Sequence, residues 1–278
     1  MKGKKSNPIV NTKDTNRSLE LIARLAGRVE RERIGLYFAE GVRALARAVE
    51  QKHDIRSVMY VPSLLNHAFA RRLVERLQGA GVETHAVAID VFQRISRLEE
   101  PQWVGVVVRQ RWTPLGAAVP DRGLCWVGLE SIRSPGNLGT ILRTCEAVGA
   151  AGLIALGTGV DPFDPSAVRA SMGSIFTTTP VRANASELTL WATSVGAQLV
   201  AMSPKADVDF RRFRYRSPLV VLAGGERPGL SVPLFGRCDA AVSIPMVDKT
   251  DSLNMAIATG VLLYEVLGQR LAEGKAGG

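Results

Sequence analysis

Three short stretches in the rear half of the chain hold residue types that can do chemistry. Asn137, Gly139 and Arg143 stand at N-x-G-x-x-x-R spacing within SPGNLGTILR. Arg143 falls about one and two-thirds turns beyond Asn137 on a helix that otherwise looks inward. Its charge must be paired there, or must face a cleft or a second subunit. Gly224 and Glu226 belong to GGERPGL, directly after an apolar run. Glycines in a tight turn at a strand's carboxyl end let a ligand approach the backbone closely. Ser252 and Asn254 open SLNMAIATGVLLYE, small polar groups at the mouth of an apolar helix. They need partners there, and a ligand can be one. Metal chemistry is not signalled. His53, His67 and His85 have no Cys or carboxylate companions at ligand spacing, so no zinc site is expected.

The elements that position these residues follow from periodicity. Val242 to Ile244 reads as a short strand stopped by Pro245, followed by a polar loop, Val247 to Ser252. Asp251 or Ser252 can cap the helix that comes next. Leu253, Ala256, Ile257, Val261, Tyr264 and Leu267 recur on it at helical spacing, with Met255, Ala258, Leu262 and Leu263 on the other sides. A helix apolar nearly all round expects burial. Upstream, Leu124 to Leu129 is a buried strand, ESIRSPGN a loop, and Leu138 to Val148 a helix with Asn137 as its N-cap. Leu153 to Leu156 is the next strand, completing a parallel crossover unit. It carries neither G-x-G-x-x-G nor a P-loop lysine, so neither dinucleotide nor nucleoside-triphosphate binding is indicated. Asp164 to Gly173 predicts a helix, Ser174 to Val181 a strand with Met172 to Phe176 as core, Ser186 to Val195 a helix, and Gln198 to Met202 and Leu219 to Ala223 strands. Asp209 to Arg216 is a basic loop whose Phe213 and Tyr215 alternate with arginines, a pattern that suits base stacking or a solvated strand edge.

The front half differs in charge. Residues 1–112 carry 20 Lys/Arg against 12 Asp/Glu, leaving +8, whereas residues 113–278 carry 15 against 14, leaving +1. A basic front beside a neutral rear suggests a polyanionic partner gripped by the front, unless the arginine excess only reflects genome composition. Residues 1–15 read as a basic flexible tail. Strands and helices then alternate in a small α/β domain over 16–112, beginning with one amphipathic helix from Ser18 to about Glu32 and including a helix from Leu64 to Leu77. TPLGAAVPDR, 113–122, is the expected linker to a second domain at 123–273. No apolar run approaches membrane-spanning length, and the basic start lacks the apolar segment of a secretory signal. Cys125, Cys145 and Cys238 have neither pairing nor metal spacing, which suits reduced cysteines in a cytoplasmic protein.

IPM followed by SLNMAIATGVLLYE, the N-x-G-x-x-x-R stretch and GGERPGL resemble, in order, the third, first and second motifs of the SpoU branch of the SPOUT RNA methyltransferases. The likeness spans residues 124–267. LYFAEGVRALARAVE is similar to the start of the RNA-binding domain that many of these enzymes carry. The resemblance implies an α/β fold: a SPOUT-type parallel sheet with a deep trefoil knot, preceded by a small ribosomal-protein-like α/β domain. It implies S-adenosylmethionine as cofactor, held by Gly224, Ile244, Met246 and Leu253. It implies 2′-O-methylation of a ribose in structured RNA, ribosomal RNA being favoured over transfer RNA. Arg143 is the expected catalytic residue, with Asn137, Glu226, Ser252 and Asn254 orienting it, the loops and the RNA. Arg31, Arg33 and Arg43 are the expected RNA contacts. The site is expected to form across a homodimer, with no membrane or metal involved. Gly225 and Arg227 depart from the family's second motif. They leave open a catalytically silent RNA-binding protein, and a small-molecule enzyme is the third class.

Overall fold

The structure, a computed structural model, describes residues 13–225, 229–247 and 252–274. They fall into two units, Met1–Gln110 with Phe163–Pro165, and Arg111–Pro162 with Ser166–Gly278.

The first unit runs α1 (Lys13–Arg24), α2 (Arg28–Ile34), β1 (Leu36–Glu40), α3 (Val42–Glu50), β2 (Ile55–Tyr60), α4 (Ala68–Gly79), β3 (Glu83–Ala86), α5 (Ile89–Ile95) and β4 (Val104–Arg109). Its sheet has the order β1-β4-β2-β3, with β4 antiparallel to both neighbours and β3 parallel to β2. Met59 and Val107 of the strands bury against Ile22, Leu25 and Phe92 from the helices. The first helix expected from the sequence is two helices, and the reason lies at their junction. Gly27 is extended, and Arg31 of α2 turns its guanidinium back onto the carbonyls of Leu25 and Ala26, at 2.8 and 2.7 Å. Those are orphan acceptors at the end of α1, which one arginine satisfies. Val29, expected on the apolar face, is turned to solvent in consequence. Residues 13–15, assigned to the tail from sequence, are the first turn of α1. The helix expected from Leu64 starts only at Ala68. Buried His85 on β3 pins α1 to the sheet. Its ring nitrogens lie 3.2 Å from the Thr15 hydroxyl and 3.0 Å from that of Ser18, and Glu83 is 3.0 Å from Nε2.

The second unit runs β5 (Thr113–Pro114), β6 (Trp126–Glu130), α6 (Pro135–Val148), β7 (Gly152–Leu156), α7 (Pro165–Ala170), β8 (Pro180–Ala183), α8 (Ala185–Val195), β9 (Gln198–Met202), β10 (Val208–Asp209), β11 (Leu219–Gly224), α9 (Val232–Phe235), β12 (Ala240–Ser243) and α10 (Met255–Ala272). The eight strands form one parallel sheet of order β10-β12-β9-β11-β6-β7-β8-β5. Its central strands are apolar throughout because helices cover both faces, and Trp126, Ile154, Val181, Leu199, Val220 and Leu222 join one core. The proline-rich stretch 113–122 is not structureless: it supplies the edge strand β5 and buries Ala118. A strand expected from Ser174 begins only at Pro180. The Ser174 hydroxyl bonds Glu146, and the Ser174 carbonyl accepts the hydroxyls of Thr177 and Thr178. Local polar side chains therefore hold residues 174–176 in a tight turn where a ladder was expected. Met172, expected in the core, is exposed at positive φ.

Candidate active site

The parallel sheet delivers three loops to one end. β6 leads into the loop 131–134, and Ser134, with Pro135 after it, caps α6 by accepting the Asn137 N–H at 3.3 Å. This moves the cap three residues upstream of the one expected and frees the Asn137 side chain for other work. Gly139 is required at its place: a Cβ there would lie 2.4 Å from the Ala170 Cβ, so only glycine lets α6 sit this close to α7. α10 begins after Asn254, whose Oδ1 accepts the N–H groups of Ala256 and Ile257 at 2.9 and 3.4 Å. Asn254 is thus the cap that sequence had placed on Asp251 or Ser252. Asp251 lies outside the described residues, and Ser252 precedes the helix.

Nδ2 of Asn254 donates to Oδ1 of Asn137 at 3.0 Å, joining residues 117 positions apart. This bond ties the first turn of α6 to the cap of α10, so two helix N-termini, each with a partial positive charge, meet at one spot. Such a place attracts anions.

Two adjoining cavities open there. The first, about 440 Å³, lies at the carboxyl ends of β9, β11 and β12. Gly224, Ile244, Met246 and Leu253 all line it, together with Ser252. Its other walls are mostly apolar, with Met202, Phe210, Leu230 and Leu262 prominent. The second, about 530 Å³, is lined by Arg133, Ser134, Asn137 and Asn254, and shares Ser252, Leu253 and Met255 with the first. Of the residues anticipated, Asn137, Ser252, Asn254, Gly224, Ile244, Met246 and Leu253 are therefore brought together. Glu226 lies outside the described residues. Arg143 is exposed, lines neither cavity, and has no hydrogen-bond or ion-pair partner among the described residues.

Three useful residues escaped the sequence reading. Glu130 accepts the Ser231 N–H at 2.7 Å and so fixes the exit of the glycine loop. Arg133 and Lys205 are the exposed cations lining the second and first cavities. Arg133 stood in view within ESIRSPGN, but neither residue has periodicity or spacing to mark it.

Elsewhere the geometry corrects expectations. Arg31 is only 2% exposed, and its commitment to backbone carbonyls replaces the RNA contact expected of it. Arg33 is exposed but bonded to Glu30 at 3.0 Å, while Arg43 is exposed and unpaired among the described residues. Tyr215 is buried, and its hydroxyl donates to the Phe210 carbonyl at 2.8 Å, so it is no stacking platform. α10 is not buried all round: Ile257, Val261 and Tyr264 form an exposed apolar stripe. Together with Thr140 and Thr144 of α6 they line an open groove of about 680 Å³.

Residues 125–264 match the model of the SpoU rRNA methylase family, and residues 16–105 match an MRM3-like substrate binding domain. The chain belongs to the SpoU rRNA methylase family. The 23S rRNA (uridine(2479)-2′-O)-methyltransferase of Streptomyces viridochromogenes is 33% identical to this SpoU chain, over 90% of it and 88% of the relative. The AdoMet-bound rRNA methyltransferase of Sinorhizobium meliloti superposes with a TM-score of 0.85 at 34% identity, over 95% of this chain and 97% of that one. The SpoU methyltransferase AviRb from Streptomyces viridochromogenes, in complex with AdoMet, gives 0.84 at 32% identity, over 92% and 98%. The parallel sheet found here is thus the fold of SpoU methyltransferases. Among the described residues no cluster of His, Cys, Asp or Glu could hold a metal, and no helix is long and apolar enough to cross a membrane.

Proposed function

We propose that the chain is an S-adenosylmethionine-dependent methyltransferase that modifies a ribose 2′-hydroxyl of ribosomal RNA. The observation that carries this reading is the meeting of Gly224, Ile244, Met246, Ser252 and Leu253 around one cavity, with the Asn137–Asn254 pair at its side. The cavity suits the cofactor. It lies in the volume range of small-molecule sites, its walls are mostly apolar, and glycine and loop backbone groups are available to hydrogen-bond an adenine and a ribose. When bound, S-adenosylmethionine supplies a methyl group on a positively charged sulfur.

The chain's own residues have the remaining tasks. Gly224, Ile244, Met246 and Leu253 hold the cofactor, and Ser252, shared by both cavities, stands where the two reactants meet. Asn137 and Asn254 keep the loops in register, Arg133 and the two helix ends attract an RNA phosphate, and Glu226 orients the second loop. A hydroxyl is a poor nucleophile at neutral pH and gains most from positioning and from stabilisation of the charge that grows as its proton leaves. Arg143 takes that role electrostatically, because a guanidinium does not act as a base.

Arg143 reaches the cofactor only from a second subunit in this reading. The apolar stripe of Ile257, Val261 and Tyr264, on a helix whose sequence is coded for burial, supports an isologous homodimer through α10 and α6. The resemblance adds a trefoil knot around the site, and the basic front half, with Arg33 and Arg43 exposed, adds an RNA-gripping unit. Such an enzyme works in the cytoplasm, where ribosomes are made. The Gly225 departure does not favour a silent relative: a Cβ at this position would lie 2.6 Å from the Ser131 carbonyl oxygen, so glycine is what this loop accommodates.

Purified protein supplied with ribosomal RNA and methyl-labelled cofactor tests the reading. Label in alkali-resistant dinucleotides is expected, since a methylated 2′-oxygen cannot assist strand cleavage. Label on bases alone, or cofactor binding with no transfer to any ribosomal RNA, refutes it.

A further inference from the structure

The cofactor proposed above has an adenosine part and an amino-acid tail that carries a carboxylate. The walls of the first cavity account for the former and leave the latter without an obvious counter-charge. Among the described residues lining that cavity, one cation is present, Lys205. It is exposed, and no carboxylate pairs with it among the described residues. Two acids follow on the same segment: Asp207 is exposed and makes no ion pair with Lys205, and Asp209 is engaged by Arg211 at 2.6 Å. That bond holds the Asp209 carboxyl down at about 2, so it stays an anion committed elsewhere.

The backbone beneath Lys205 is built rather than loose. The Ser203 N–H donates to the Val242 carbonyl at 3.0 Å, anchoring the turn to the strand that leads into Ile244. The N–H of Lys205 then donates to the Ser203 hydroxyl at 3.3 Å, and that of Ala206 to the Ser203 carbonyl at 3.2 Å. A tight turn pinned to β12 thus presents one flexible ammonium at the rim of the cavity. The turn itself contributes Met202, Ser203 and Pro204 to the wall.

We infer that Lys205 is the residue that reads the carboxylate of the cofactor's amino-acid tail and so selects the intact methyl donor over analogues lacking that group. The inference rests on the cofactor reading given above. Arg133, across Ser252 and Leu253 in the second cavity, is the competing cation and is assigned to the RNA instead. An ammonium suits the tail because a compact point charge on a long stem can follow a ligand's flexible end, where a guanidinium prefers a fixed planar partner.

Calorimetric titration of the full chain with S-adenosylmethionine and with decarboxylated S-adenosylmethionine separates the possibilities, the two ligands differing only in the carboxylate. The wild type should prefer the intact form by about tenfold, the range of one charge-assisted contact. Lys205→Met, at an exposed position that leaves folding intact, should lose that preference by weakening the intact form alone. Lys205→Arg should restore part of it, and Arg133→Ala should keep it. A Lys205→Met variant that retains the full preference, or an Arg133→Ala variant that loses it, overturns the assignment. A wild type that binds both forms equally overturns it too, with the cofactor reading left standing. A wild type that binds neither form removes the cofactor reading and this inference together.

Discussion

Asn254 does two jobs with one side chain: its oxygen caps α10 and its nitrogen bonds Asn137. Asn254→Ala should therefore cost about 1 kcal/mol in cap stability, and more through loss of the bond to Asn137. Urea denaturation measures the stability, and donor titration should show weakened binding alongside it. Asn254→Asp retains the cap but places a carboxylate against Asn137 Oδ1, so it should keep stability better than it keeps the site. Arg143 behaves differently. It is exposed and unpaired among the described residues, so Arg143→Ala should leave folding and donor affinity within about twofold of wild type. Methyl transfer should fall at least 100-fold, the scale on which removing one charge-stabilising donor acts. Single-turnover assays beside calorimetry read the two separately. Gly139→Ala is a steric test: its new Cβ, 2.4 Å from that of Ala170, should destabilise by about 1–3 kcal/mol.

The elements were legible in the sequence wherever burial alone decides them. β6, β7, β9 and β11 are apolar runs, and their helical covers follow from the 3.6-residue period. What the sequence could not show was decided by side-chain bonds to backbone: Arg31 closing the α1–α2 turn, Ser174 and its threonines replacing a strand, and Ser134 and Asn254 taking the caps. The site was legible in its loops because glycines and small polar residues mark them. Lys205 and Glu130 were not, since nothing local distinguishes them from surface charges. α10 shows the same limit from the other side. Its sequence requires burial of nearly every face, yet Ile257 and Tyr264 are 58% and 56% exposed in the single chain. Ile257→Asp with Tyr264→Glu should convert the proposed dimer to a monomer in light scattering while helix content by circular dichroism is unchanged. A wild type that is monomeric at micromolar concentration would contradict the proposed interface. In the first unit, His85→Ala should loosen α1 by removing the ring that bonds Thr15 and Ser18, at a cost of about 1–3 kcal/mol.

At the scale of the molecule, charge and thiols behave as global properties. Burial pushes the Cys145 thiol up to about 12 and that of Cys125 further, and half-buried Cys238 up to about 11. All three should resist a disulfide reagent at pH 8 in the folded protein and react at once after denaturation. The sign of the linkage follows. A thiol whose folded pKa is raised favours folding at low pH, and that contribution is lost as pH rises above the ordinary value of 9.0 towards the folded one. Urea midpoints should accordingly fall between pH 8 and pH 11. Basic charge in the front half predicts an RNA-binding constant whose logarithm falls linearly with the logarithm of salt concentration.

Mixing two inactive variants tests most directly whether one subunit's guanidinium serves the other's methyl-donor cradle. One variant carries Arg143→Ala. The other carries a substitution, Leu253→Asp, that spoils the donor cavity while Arg143 stays intact. Co-refolded or co-expressed, the mixed dimer should regain transfer to ribosomal RNA at roughly a quarter to a half of the wild-type rate, the share expected when one of two sites is whole. A mixture as inactive as its two parents, with mixed dimers demonstrably present, would place arginine and donor on the same chain and contradict the shared site.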